Sequence, residues 1–163
     1  AMMECKALGS GRVIMIGRGA KLQKARELGA DVCIDFEKED PVARVLELTD
    51  GVGADEVMEC SGAADSPMKA CKLVRKTGAV AIIATYHDGD VLIPANIVNF
   101  NEIRIVGSKA NPNVADQVLH FLSTGAIQGE KLITHTFPLE EYEKAIDVFE
   151  NRKDGSLKVV VHP

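Results

Sequence analysis

The sequence has no metal-binding spacing. Its four cysteines, Cys5, Cys33, Cys60 and Cys71, include no C-x-x-C pair, and its four histidines, at 87, 120, 135 and 162, fit no H-E-x-x-H pattern. No catalytic or metal-ligating set is therefore assigned, and the cysteines are expected to be reduced, buried thiols of a cytoplasmic protein. Long hydrophobic runs are also missing. Thr77 to His87 and Val91 to Asn101 hold eleven uncharged residues each, where a membrane-spanning helix needs ~20. No bilayer crossing and no secretory leader are expected. Positive charge is scarce too: 19 Lys and Arg against 24 Asp and Glu give −5, which offers a nucleic acid no electrostatic footprint. Glycine-rich phosphate loops fail as well. Gly9-Ser10-Gly11 meets Ile14 where a third glycine belongs, Gly51-Val52-Gly53 meets Glu56, and no P-loop occurs.

What is present suffices for a core. The 163 residues are 46% hydrophobic with mean hydropathy +0.02, the size and composition of one domain or one large lobe. After a helical opening, Ala1 to Leu8, the pattern alternates. Strands are predicted at Arg12 to Ile16, Val32 to Asp35, Asp55 to Cys60 and Ala79 to Thr85. Between them lie helices at Lys21 to Leu28, from Pro41 with Asp40 as cap and Val42, Val45, Leu46 and Thr49 facing inward, and at Ser66 to Lys76 with Gly78 as the stop. Such alternation argues βαβ crossovers and a parallel, doubly wound sheet. After Tyr86 the rhythm changes. A polar turn, His87 to Asp90, precedes a short strand and a helical turn across Val91 to Phe100. A strand at Ile103 to Val106 and a helix at Ala115 to Ser123, with Val114, Val118, Phe121 and Leu122 on one face, follow. The chain then extends over Lys131 to Phe137, turns into a helix opened by Pro138 with Leu139, Tyr142, Ala145, Ile146 and Phe149 at core spacing, and ends in a strand at Leu157 to Val161.

In a doubly wound sheet ligands sit beyond the carboxyl ends of the strands. After the first strand stands Gly17-Arg18-Gly19-Ala20-Lys21. An acid here would accept from an NAD ribose. Two cations stand in its place, which favours a 2′-phosphate and so NADP over NAD, the competing account being a solvated basic turn. Cys60-Ser61-Gly62 follows the third strand; Gly62 allows close approach of backbone to a ligand, and Glu59 and Ala63 rule out a G-x-S-x-G elbow. Cys60 is expected to be buried rather than reactive, and Glu59 a buried hydrogen-bonding hub rather than a functional acid. Thr85 and Tyr86 could reach a nicotinamide through backbone groups or simply cap their strand, and Lys158 is a candidate phosphate contact or an ordinary surface lysine.

The runs GRVIMIGRGAKLQKARELGAD, GADEVMECSG, KTGAVAIIAT, LITHTFPLEEYEKAIDVFE and GSLKVVV, in that order, resemble the carboxyl half of zinc-type medium-chain alcohol dehydrogenases, nearest the sorbitol and threonine dehydrogenase branch. The resemblance implies a Rossmann-like lobe over residues 1–110 and, over 111–163, helices and strands that return toward a catalytic lobe. It carries the ribose-recognising turn onto Gly17 and Arg18, the adenine and nicotinamide walls onto Cys60, Ser61, Gly62, Ile83 and Thr85, and the pyrophosphate cation onto Lys158. It also carries the border of the nicotinamide onto Gly107 and Ser108. The family's zinc ligands lie in an amino-terminal lobe, and its first strand and G-x-G-x-x-G loop precede the helix that Ala1 to Leu8 resembles. The sheet is therefore expected to lack that central strand, and the chain to be inactive alone. The family also implies a homo-oligomer paired through the edge strand Ile103 to Val106. Two other readings remain: a non-catalytic nucleotide-binding or self-assembling module, and part of a zinc-free quinone reductase relative.

Overall fold

A computed structural model of the chain describes residues 1–87, 89–110 and 113–163. Asp88, within the polar turn expected at His87 to Asp90, and Asn111 and Pro112, beside the boundary expected after residue 110, lie outside the described residues. The elements in chain order are α1 (Met2–Ala7), β1 (Ile14–Gly17), α2 (Gly19–Glu27), β2 (Val32–Asp35), α3 (Pro41–Leu48), β3 (Ala54–Glu59), α4 (Ser66–Leu73), β4 (Val74–Ile82), α5 (Ala95–Phe100), β5 (Arg104–Gly107), α6 (Ala115–Ser123), β6 (Ile133–Pro138), α7 (Tyr142–Glu150) and β7 (Lys158–His162). Parallel pairing and α/β alternation hold as expected. Hydrogen bonds join the strands into three parallel sheets, ordered β1-β2, β3-β4-β5 and β6-β7. The chain divides into two compact units, Ala1–Asp35 with Asn113–Pro163, and Phe36–Pro112.

In the first unit α2 packs Leu22 and Ala25 against β1 and β2, where Ile34 is fully buried. Asp31 fastens the start of β1: its Oδ2 accepts from the Val13 amide at 2.7 Å and its Oδ1 from Lys6 Nζ at 2.8 Å. A separate cluster of Phe137, Ala145 and Val148, with Val159 and Val161 against it, joins α7 to β6 and β7. The inward stripe of α7 falls on Val148, 8% exposed, rather than on Phe149 at 56%. The side of α7 that meets β6 and β7 runs through Ala145 and Val148, one helical turn apart, and leaves Phe149 beside it.

In the second unit the core is Ala70, Cys71, Val74, Val80 and Ile103. Asp40 caps α3 as expected, its Oδ1 accepting from the amides of Val42 at 2.7 Å and Ala43 at 3.3 Å. The helix predicted to run to Lys76 ends instead at Leu73, and β4 starts at Val74, opposite Ala54. Close backbone approach explains the stop: a Cβ on Gly53 would come within 2.9 Å of Leu73 O and Arg75 N. The strand predicted in the segment before Pro94 is absent among the described residues; Leu92, at 78% exposed, has no neighbouring sheet to cover it. The cysteine expectation is corrected. None of the four is in a disulfide, but only Cys71 is buried, Cys5 and Cys33 are half-buried, and Cys60 is exposed because it stands just past the end of β3.

Candidate functional site

In the second unit three strands end level. Glu59 lies opposite Ile82, and Ile82 opposite Gly107. The segments beyond them are stitched side by side: Glu59 O accepts from the amides of Ile83 at 2.9 Å and Ala84 at 3.2 Å, and Ile82 O accepts from Ser108 N at 2.9 Å. Cys60, Ser61, Gly62, Ile83, Thr85, Gly107 and Ser108 therefore share one end of one sheet, the end where parallel sheets present ligand contacts. Gly62 has φ +70°, and a Cβ on it would stand 3.0 Å from Thr85 O. Only glycine takes that backbone without strain this close to another carbonyl.

Glu59 is the hub of this end, as its apolar surroundings suggested. It is 5% exposed. Its Oε1 accepts from Ser61 N at 2.7 Å, Ser61 Oγ at 2.6 Å and Gly62 N at 3.2 Å, while its Oε2 accepts from the Tyr86 hydroxyl at 2.6 Å. Burial pushes the carboxyl pKa up, yet the hydrogen bonds from Ser61 and Tyr86 outweigh it and hold the group below its ordinary value. Burial and the bond to Glu59 push the Tyr86 phenol up. The Glu59–Tyr86 bond spans 27 residues and carries no signal in local sequence.

The remaining candidates belong to the first unit. Gly17 ends β1, Arg18 precedes α2 in extended conformation (φ −152°), and no acidic residue or side-chain cap occupies the first turn of that helix. Exposed Lys21 shares a hollow of about 200 Å³ with Phe149, Glu150, Arg152, Ser156 and Leu157. Gly155 (φ +71°) approaches the same helix start, since a Cβ on it would meet Ala20 Cβ at 3.6 Å. Lys158 follows as the exposed first residue of β7. Arg152 was not singled out from the sequence; a cation in the turn ahead of Gly155 is the signal that could have found it. Among the described residues no group of three or more His, Cys, Asp or Glu side chains could hold a metal ion, so zinc does not fit them.

A sequence profile for zinc-binding dehydrogenases matches residues 1–124. The chain belongs to that family. It is 32% identical over 94% of its length to a sorbitol dehydrogenase of Halalkalibacterium halodurans, covering 45% of that protein, and 33% identical over its full length to an L-threonine 3-dehydrogenase of Bacillus licheniformis, covering 47%. Among solved structures, alcohol dehydrogenase TADH from Thermus sp. ATN1 superposes with TM-score 0.90 at 30% identity over 98% of this chain and 46% of its own. A zinc-binding dehydrogenase from Sinorhizobium meliloti, bound to NADP, superposes with TM-score 0.89 at 30% identity over 99% of this chain and 48% of its own. The chain thus spans about half the length of the relatives it matches, and these neighbours share its Rossmann-like α/β architecture. Among the described residues no helix of this chain is long and apolar enough to cross a membrane.

Proposed function

We propose that this chain is the cofactor-binding portion of an NADP-preferring, zinc-dependent alcohol or polyol dehydrogenase. The observation that carries the reading is the level ending of β3, β4 and β5, with Gly62 folded tightly under Thr85 O. There, main-chain groups of Cys60, Ser61, Gly62, Ile83, Thr85, Gly107 and Ser108 line the nicotinamide end. In the other unit Gly17, Arg18 and Lys21 meet the 2′-phosphate, supported by the absence of any acid in the first turn of α2, and Lys158 meets the pyrophosphate. A nicotinamide held there would supply hydride transfer, and the main-chain groups of this chain would orient its ring. The family's zinc is held elsewhere in the whole enzyme. On this reading residues 1–110 hold the dinucleotide, residues 111–163 return toward the catalytic lobe, and four cysteines outside any disulfide suit a reducing, cytoplasmic setting.

The test is calorimetric titration of the purified chain with NADPH and NADH. Micromolar binding with NADPH tighter is expected, and no binding of either would overturn the reading. Alcohol-dependent reduction of NADP by the chain alone would overturn the assignment of catalysis to residues outside it.

The exposed edge of β5 favours a second role. Among the described residues the strand pairs only with β4, and Val106 on it is 55% exposed. Homo-oligomers joined through Ile103 to Val106 are the expected assembly. Dimer or larger mass by light scattering without nucleotide binding would leave assembly as the function.

A further inference from the structure

We infer that Glu59 is a positioning residue: its carboxylate ties the loop after β3 to the loop after β4 and so sets the main-chain groups offered to the nicotinamide end of the cofactor. The inference rests on the cofactor reading above. Its own ground is an accounting of donors and acceptors. One carboxylate oxygen receives two amides and a hydroxyl from Ser61 and Gly62, and the other receives the Tyr86 hydroxyl. Every neighbour in those bonds donates to Glu59, so an ionised acceptor suits both ends; the Ser61 and Gly62 amides can only donate, and the Tyr86 hydroxyl would have to turn round to meet a donor. Glu59 is buried and committed on both oxygens, which leaves it to act through the loops rather than on a ligand.

The backbone of the same residue repeats the connection. Glu59 O takes the amides of Ile83 and Ala84. One residue therefore holds both loops from two sides, and Gly62 sits where the loops come close, near enough that a methyl group on it would stand 3.0 Å from Thr85 O. Loosening the side-chain half should let the two loops drift apart without dissolving the strand pairing beneath them.

Glu59→Gln preserves shape but exchanges one acceptor for a donor. With its oxygen toward Ser61 and Gly62, its amide nitrogen faces Tyr86 and the bond there inverts. Tyr86→Phe removes the same bond by deleting one oxygen, which spares folding. The experiment titrates the wild-type chain, both single variants and the double variant with NADPH and with 2′,5′-ADP, which lacks the nicotinamide. Each single variant is expected to weaken NADPH about threefold to tenfold, the ratio one net hydrogen bond is worth. Affinity for 2′,5′-ADP should stay within about twofold, and the double variant should be no weaker than the weaker single, because both changes act on one tether, Gln by replacing a charge-assisted bond with a weaker neutral one and Phe by removing it. Unchanged NADPH affinity in both variants overturns the inference, as does an equal loss of both ligands, which marks general damage. A wild-type chain that binds neither ligand takes down the cofactor reading and this inference with it.

Discussion

Gly62 lies directly beneath the Thr85 carbonyl, close enough that a Cβ would stand 3.0 Å from that oxygen, and it does so at φ +70°. Gly62→Ala should therefore cost about 1–3 kcal/mol through backbone strain. Gly107, at the end of β5, has an ordinary φ and open space, with nothing within 4 Å of where a Cβ would stand, so Gly107→Ala should stay within about 0.5 kcal/mol. Urea unfolding of the two variants side by side checks the contrast. Equal stabilities would mean the loop is looser than this contact implies.

Acid should unfasten the Glu59 hub. A carboxyl held below its unfolded value contributes stability that is complete above the unfolded value, near ~4.3, and that is lost as pH falls through the folded value. The direction for Glu59 is downward, so its contribution disappears on the acid side. Asp31, Asp65 and Asp147 are lowered too, which makes the difference between wild type and Glu59→Gln the informative quantity. Thermal midpoints measured from neutral to strongly acidic pH should converge as pH falls, and parallel curves would refute it.

Arg18→Asp should reverse the nucleotide preference. A carboxylate at the start of α2 would accept from a ribose hydroxyl and repel a 2′-phosphate. Fluorescence titration should show NADPH weakened at least about tenfold and NADH strengthened. Weakening of both in equal ratio would assign Arg18 a role in folding instead.

The cysteines should separate by reactivity. Cys60 is exposed past β3, whereas Cys71 is buried and its thiol is pushed up by that burial. Brief iodoacetamide treatment of the folded chain, followed by peptide mass spectrometry, should mark Cys60 and spare Cys71. Labelling of Cys71 at the same rate would show the α4 core opening.

Local patterns were legible where local forces decide. β2 and α6 lie where periodicity and neighbouring turns placed them, and Asp40 caps α3 as its position before Pro41 implied. The misreadings share a cause in contacts distant along the chain. Val74 to Lys76 continues a helical pattern, yet Val74 pairs with Ala54, twenty residues earlier, and Gly53 brings its backbone against Leu73 and Arg75. Val91 to Ile93 has strand composition but finds no partner strand among the described residues. At the candidate site, Glu59 was readable as a buried hub from its apolar neighbours, while its bond to Tyr86 was not, because no sequence period links the ends of two parallel strands.

The segments beyond β3, β4 and β5 are held side by side by main-chain hydrogen bonds such as Ser108 N to Ile82 O. Peptide groups are common to all twenty amino acids, so on the proposed cofactor reading side chains there can drift over evolutionary time while the main-chain contacts keep their chemistry. Proteins about 30% identical to this chain, carrying names as different as sorbitol and threonine dehydrogenase, can thus diversify without redesigning this half.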